Sequence, residues 1–185
     1  MKSLLALSFA VSTLSGQAGS LVLAEKDTPP VPIIVLKDAP PRTREVADVL
    51  AGYIEKISGQ KPPVMEGAPQ TMPASAIWLG VQPEVRALFP KTDFDFKHPE
   101  EIVIAANDKH VVIAGRDRWD AARPDITTKE GVIKGVQQEY GTINAVYTFL
   151  QDQLGVRWLW PGELGEDVPK SERLVISTPL EYRHH

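Results

Sequence analysis

Six apolar residues, Val46, Val49, Leu50, Tyr53, Ile54 and Ile57, recur at intervals of three and four and so form one stripe along a helix. A helix with a single apolar side must bury it against a sheet or a second helix, which restricts the chain to a layered fold. Thr43 is placed to accept a hydrogen bond from the first-turn amides, and Gly59 supplies a left-handed stop. Ile143, Val146, Tyr147, Leu150 and Leu154 draw a second stripe, with Thr142 as cap and Gly155 as stop. Tyr147 and Leu150 are therefore expected in the core, where truncation to alanine costs ~2–5 kcal/mol.

The segments around these helices read as strands and connections. Residues 31–36 are apolar on both faces, as a buried strand requires, and residues 76–81 give a second such run. Residues 84–88 suit one helical turn closed by Pro90. Residues 101–106 and 110–115 predict a hairpin turning through Asn107, Asp108 and Lys109. The proline-rich residues 62–73 read as an exposed connection, and the polar residues 116–138 as a long loop. Residues 156–160 form a further strand ended by Pro161 and Gly162, and residues 174–177 a last one. The order β-α-β-β-β-α-β-β predicts an α+β domain, a small mixed β-sheet with two α-helices packed on one face.

At 185 residues the chain has the size of one domain, and 20 basic against 24 acidic residues disfavour a nucleic-acid partner, since neutralising phosphates takes a basic face. The absence of cysteine excludes a disulfide framework and a thiolate metal site. Residues 1–24 read as a secretory signal peptide: Lys2 is positive, an apolar run spans residues 4–14, and small residues follow. Cleavage after Ala24 places Val22 and Ala24 at the recognition positions and is preferred; Gly16 and Ala18 offer an alternative. The run is shorter than the ~20 residues a bilayer needs, so no stable membrane anchor is expected. The protein is expected to be secreted or periplasmic, in keeping with a bacterial periplasm or cell surface, and residues 25–30 read as a linker.

No G-x-S-x-G elbow, phosphate loop, dinucleotide fingerprint or H-E-x-x-H motif is present. His98 and His110 are isolated and His184 with His185 would point to opposite sides of a strand, so no metal site is expected, and no cofactor. Asp93 and Asp95 begin like a calcium loop, but His98 and Ile104 stand where glycine and glutamate are needed. Asp117 with Asp120, and Glu163 with Glu166 or Asp167, are the acid pairs that glycosidic chemistry could use, although acidic residues in turns are usually just solvated. The spacing of Gly162 and Gly165 matches an RNA-binding loop, yet Glu163 between them would repel phosphate. Trp158 and Trp160, two apart, share a strand face opposite Arg157, and their bulk favours burial over sugar stacking. Trp119 lies in a charged stretch and is the better candidate for an exposed contact.

The segment from Gly141 through Thr142, Ala145, Val146, Tyr147, Phe149 and Leu150, followed by Gly155-Val156-Arg157-Trp158-Leu159-Trp160-Pro161-Gly162, Gly165 and Val168-Pro169, resembles the amino-terminal domain of α-glucuronidase-like glycoside hydrolases. Ile57-Ser58-Gly59, the strand at 77–80 and Ile113-Ala114-Gly115-Arg116 fit the same pattern in the same order, over residues 31–180. The resemblance implies a fold similar to the second domain of β-hexosaminidases, and a following (β/α)8 barrel as partner that carries the catalytic carboxylates. A barrel takes ~250 residues, more than the whole of this chain, so no catalytic residue carries over and residues 181–185 read as the start of a connection to a missing catalytic domain. By the same resemblance Arg157, Trp160 and Glu163 are substrate-side or interdomain candidates, joined by Trp119. The expected function is that of a non-catalytic leading domain of an exported enzyme of polysaccharide or xylan degradation, with a carbohydrate substrate. The alternative is a free-standing carbohydrate-binding or protein-interaction module in which Trp119 and Trp160 stack on sugar.

Overall fold

The computed structural model describes residues 19–120, 126–128, 131–133 and 136–184. The apolar run and the Ala18 site of the leader, parts of the loop at 116–138, and His185 lie outside the described residues. In chain order the elements are β1 (Gly19–Glu25), β2 (Ile33–Val35), α1 (Pro41–Ser58), β3 (Val64–Glu66), β4 (Ala76–Leu79), α2 (Pro83–Leu88), β5 (Ile102–Ala106) and β6 (His110–Gly115). Then come β7 (Asp117–Asp120), β8 (Ile126–Thr128), β9 (Gly131–Ile133), β10 (Val136–Tyr140), α3 (Gly141–Asp152), β11 (Arg157–Trp158), β12 (Glu166–Asp167), β13 (Arg173–Thr178) and β14 (Leu180–His184).

Six strands form one mixed sheet in the order β14-β5-β6-β4-β2-β3. The strands from β3 to β6 run parallel, because α1 and α2 carry the chain back between them, while the hairpin β5-β6 and the edge strand β14 pair antiparallel. The strands of the middle are buried on both faces, which is why they read as unbroken apolar runs. One face, carrying Ile33, Val35, Ile77, Leu79, Ile104 and Ile113, packs against α1 and α3, joined by Leu21 and Leu23 of β1 and Leu174 and Ile176 of β13. The other face, with Ile34, Trp78, Val103 and Val112, is covered by Val85 of α2 and by Phe89 and Phe94 after it. This is the α+β layering the helical stripes require, two helices on one face of a mixed sheet.

Local differences have physical reasons. Helix α1 starts at Pro41, whose missing amide is harmless at a first turn, so Thr43 is not the cap but a buried third residue. Gly59 ends α1 as expected, at φ 78° with its amide donating to the Glu55 carbonyl. In α3 the buried side is Ala145, Val146, Phe149 and Leu150, and Tyr147 is 42% exposed. Val146, Leu150 and Leu154 of the expected stripe are buried, while Ala145 and Phe149 take the place of Tyr147, because alanine carries little hydropathy and tyrosine looks apolar. The proline-rich connection contains the exposed edge strand β3, whose amides pair with β2 despite Pro62 and Pro63 just before it.

Three further expectations change. The loop at 116–138 is at its base a two-stranded ribbon, β7 against β10, not irregular chain. The expected strand at 156–160 contracts to β11, paired only with β12, so Trp158 and Trp160 are not buried. Residues 181–184, read as the start of a connection, belong to β14 at the edge of the main sheet, and Arg183 pairs there with buried Glu101.

The amino-terminal boundary also moves. Residues 19–24, which cleavage after Ala24 would remove, form most of β1, pairing antiparallel with β13 and burying Leu21 and Leu23. The stretch after Ala24 is therefore not where the folded domain begins.

Candidate functional site

Residues 49, 52, 53 and 56 of α1 fall at the spacing of one helix face, and Val49, Gly52, Tyr53 and Lys56 make one wall of a groove of about 590 Å³. Tyr147 of α3, Trp158 of β11 and Glu166 of β12 complete it. Trp158 and Glu166 sit opposite each other across the small β11-β12 ladder, so one hairpin delivers both side chains.

A chain of hydrogen bonds fixes the groove. The Trp158 indole Nε1–H donates to the Tyr53 hydroxyl at 2.9 Å, and that hydroxyl donates to Glu166 Oε1 at 2.8 Å. Lys56 Nζ donates to Glu166 Oε2 at 2.6 Å. The Trp158 ring packs edge-on against Tyr53 and Tyr147, with centroids 5.6 Å apart in each pair, and Lys56 Nζ lies 4.8 Å from the centre of the Tyr53 ring. The Lys56 hydrogen bond, followed by that of Tyr53, holds the Glu166 carboxyl below its usual range, and Glu166 in turn raises Lys56. Burial raises the Tyr53 phenol, which stays a neutral donor. At neutral pH the groove thus presents a carboxylate, an ammonium and an aromatic lining, within the volume range of small-molecule sites.

The residues singled out from sequence divide. Arg157, Trp160 and Glu163 lie together on and around the hairpin: Arg157 is exposed and ties back to the Gln151 and Val156 carbonyls, while Glu163 opens a short 3-10 turn and adds its charge to the field that raises Lys56. Trp160 is 55% exposed, flanked by Leu159 at 65%, with Leu164 at 91% in the same turn. Trp119 lies apart in sequence and sheet, half-buried on β7 opposite Gln137. Glu166, expected only as a member of an acid pair, instead joins Tyr53, Lys56 and Tyr147, which the sequence does not single out as a site. The available signal was the spacing of Gly52, Tyr53 and Lys56, which put a glycine and a cation beside the apolar stripe.

A second polar cluster is structural. Asp117 Oδ1 accepts from the Thr142 amide at 2.9 Å and Oδ2 from the Thr43 hydroxyl at 3.1 Å, so one carboxyl joins the first turns of α3 and α1. Burial pushes this carboxyl above its usual range, and the hydrogen bonds oppose that. Beside it a Cβ on Gly115 would fall into the backbone of Gly141, and one on Gly141 into that of Arg116. The two glycine-bearing motifs thus meet face to face. Asp120 is three residues along the strand, and its carboxylate accepts from Gln138 at 3.5 Å. Asp117 is committed to the helix starts, and Glu166 to Lys56 and Tyr53, so neither Asp117 with Asp120 nor Glu163 with Glu166 offers two unengaged carboxylates. Among the described residues no group of three or more His, Asp or Glu could hold a metal ion, and no helix is long and apolar enough to cross a membrane. Comparison with protein-family models and with curated proteins returns no match.

Proposed function

We propose that this chain is the non-catalytic leading domain of an exported, carbohydrate-processing glycoside hydrolase of the α-glucuronidase-like kind, and that it braces a following (β/α)8 barrel. The observation that carries the reading is the apolar tip of the β11-β12 hairpin, where Leu159, Trp160 and Leu164 stand largely in water. Large apolar side chains gathered in one short turn gain roughly 25 cal/mol for every Å² they bury, and a neighbouring domain is the natural cover. The hairpin is also the part of the chain with the most specific resemblance, so Arg157, Trp160 and Glu163 are the residues that meet the barrel and shape its entrance. Glycoside hydrolysis then belongs to the barrel, and the domain itself supplies no catalytic residue.

Export is part of the same reading, with the leader ending at Ala18 instead of Ala24, because β1 then stays whole. The test is to express the complete reading frame and, separately, residues 19–185. The reading expects continuation past His185 into about 250 residues of alternating strand and helix, activity on glucuronoxylan only in the longer protein, and a lower melting temperature for that protein when Trp160 and Leu164 are both changed to serine. A natural stop at His185 together with glycosidase activity of the short chain would refute it.

A further inference from the structure

We propose that the groove between α1, α3 and the β11-β12 hairpin binds a pyranose ring of a glycan, with the Trp158 indole against the ring and the Glu166–Lys56 pair holding its hydroxyls. This goes beyond the bracing role and does not need a following barrel.

The first argument is Gly52. A glycine in a helix interior is unfavourable, since it loses the most conformational freedom on folding. It is usually kept because a side chain would collide, yet a Cβ at position 52 meets no heavy atom within 4 Å. The chain's own packing therefore does not require glycine there. What it achieves is an open groove floor, where a ligand can approach the helix backbone.

The second argument is the aromatic wall. Trp158 is 36% exposed although its one polar atom is already satisfied by Tyr53, so the part left in solvent is apolar ring. Such a surface suits the C–H face of a sugar. Its orientation is set before any ligand arrives, by the hydrogen bond at the nitrogen and the two edge contacts, and this lowers the entropy lost on binding.

The third argument decides between a sugar and a protein side chain. Each Glu166 oxygen accepts one bond within the chain and keeps a lone pair, and the Lys56 ammonium spends one of its three hydrogens on Glu166. An apolar knob from a neighbouring domain would strip water from this ion pair and return nothing. Sugar hydroxyls donate and accept, so they replace that water bond for bond beside an apolar platform.

Affinity electrophoresis of the chain in gels containing glucuronoxylan, arabinoxylan or mixed-linkage β-glucan, with titration calorimetry against xylohexaose and cellohexaose, tests this. At least one glycan should retard the protein. Gly52→Leu, whose Cβ meets no heavy atom within 4 Å and whose side chain would fill the groove that residue 52 lines, should keep the circular dichroism spectrum and weaken binding by about tenfold or more. Trp158→Ala should do the same, and Met72→Ala, at an exposed residue outside the groove, should leave binding unchanged. No retardation on any gel, retardation that survives Gly52→Leu, or loss of binding through Met72→Ala alone would overturn the assignment. So would a Gly52→Leu variant that binds glycans normally but loosens the attachment of a following domain. Should Trp158→Ala fail to fold, Gly52→Leu alone decides.

Discussion

Replacing Gly52 by alanine should stabilise the protein. Alanine is favoured over glycine inside a helix by about 0.5–1 kcal/mol, chiefly because the unfolded chain has less freedom to lose. The gain is normally eroded by collisions, but at position 52 the added carbon meets nothing within 4 Å, so the full amount should be realised. In a domain of this size 1 kcal/mol moves the melting temperature by about 2–4 °C, which predicts a rise of about 1–4 °C. Thermal melts followed by circular dichroism measure it, and urea titration should show a higher midpoint at unchanged slope. The same substitution at Gly115 should act in the opposite sense, since its Cβ would strike the Gly141 backbone, and overpacking of that kind costs roughly 1–3 kcal/mol. A melting temperature for Gly52→Ala that stays put or falls would refute the reasoning, for it would mean that the space above α1 is filled or that residue 52 is not in a helix interior.

Burial and charge make further outcomes measurable. Leu50→Ala should cost about 2–5 kcal/mol by urea titration, because Leu50 is wholly enclosed between α1 and the sheet. Tyr147→Ala should cost only about 0.5–1.5 kcal/mol, the worth of its edge contact with Trp158. Burial alone would raise the Glu101 carboxyl, but the His98 and Lys97 amides and the Arg183 guanidinium hold it down at about 2. Its contribution is therefore complete above its ordinary value of 4.5 and is lost as the pH falls from there towards 2. Melting temperatures between pH 5 and 2.5 should drop less steeply in Glu101→Gln than in the unaltered protein. Buried His110, whose imidazole burial and then Lys109 lower, begins the acid loss earlier, as the pH falls below 6.5.

Periodicity revealed what depends on one face meeting one layer. The stripe of α1, the buried runs of β2 and β4 and the hairpin through Asn107 are local patterns, and Asn107 closes its turn by accepting from the Lys109 and His110 amides. Where two residues of similar hydropathy competed for a face, the pattern slipped: Tyr147 took the place of Phe149, whose ring is fully buried. Pairings between distant segments left no local trace. Nothing near Leu21 announces a partner in Ile176, and nothing near Asp117 announces Thr43 and Thr142. The groove was hidden for the same reason. Its walls come from α1, α3 and a hairpin more than a hundred residues downstream of Tyr53, and the spacing of Trp158 and Trp160 suggests a longer strand than the two residues that pair with β12.

The pairing of β1 with β13 sets a timetable for synthesis. Leu21 and Leu23 have no strand to lie against until residues 173–178 exist, almost the entire chain later. At ribosomal speeds of about 5–20 residues per second that interval is roughly 8–30 s, during which Leu21 and Leu23 wait for their partner strand. A sheet joined this way is completed only once residues 173–178 exist, so a holding factor that grips Leu21 and Leu23 until then would guard the stretch whose match is made last.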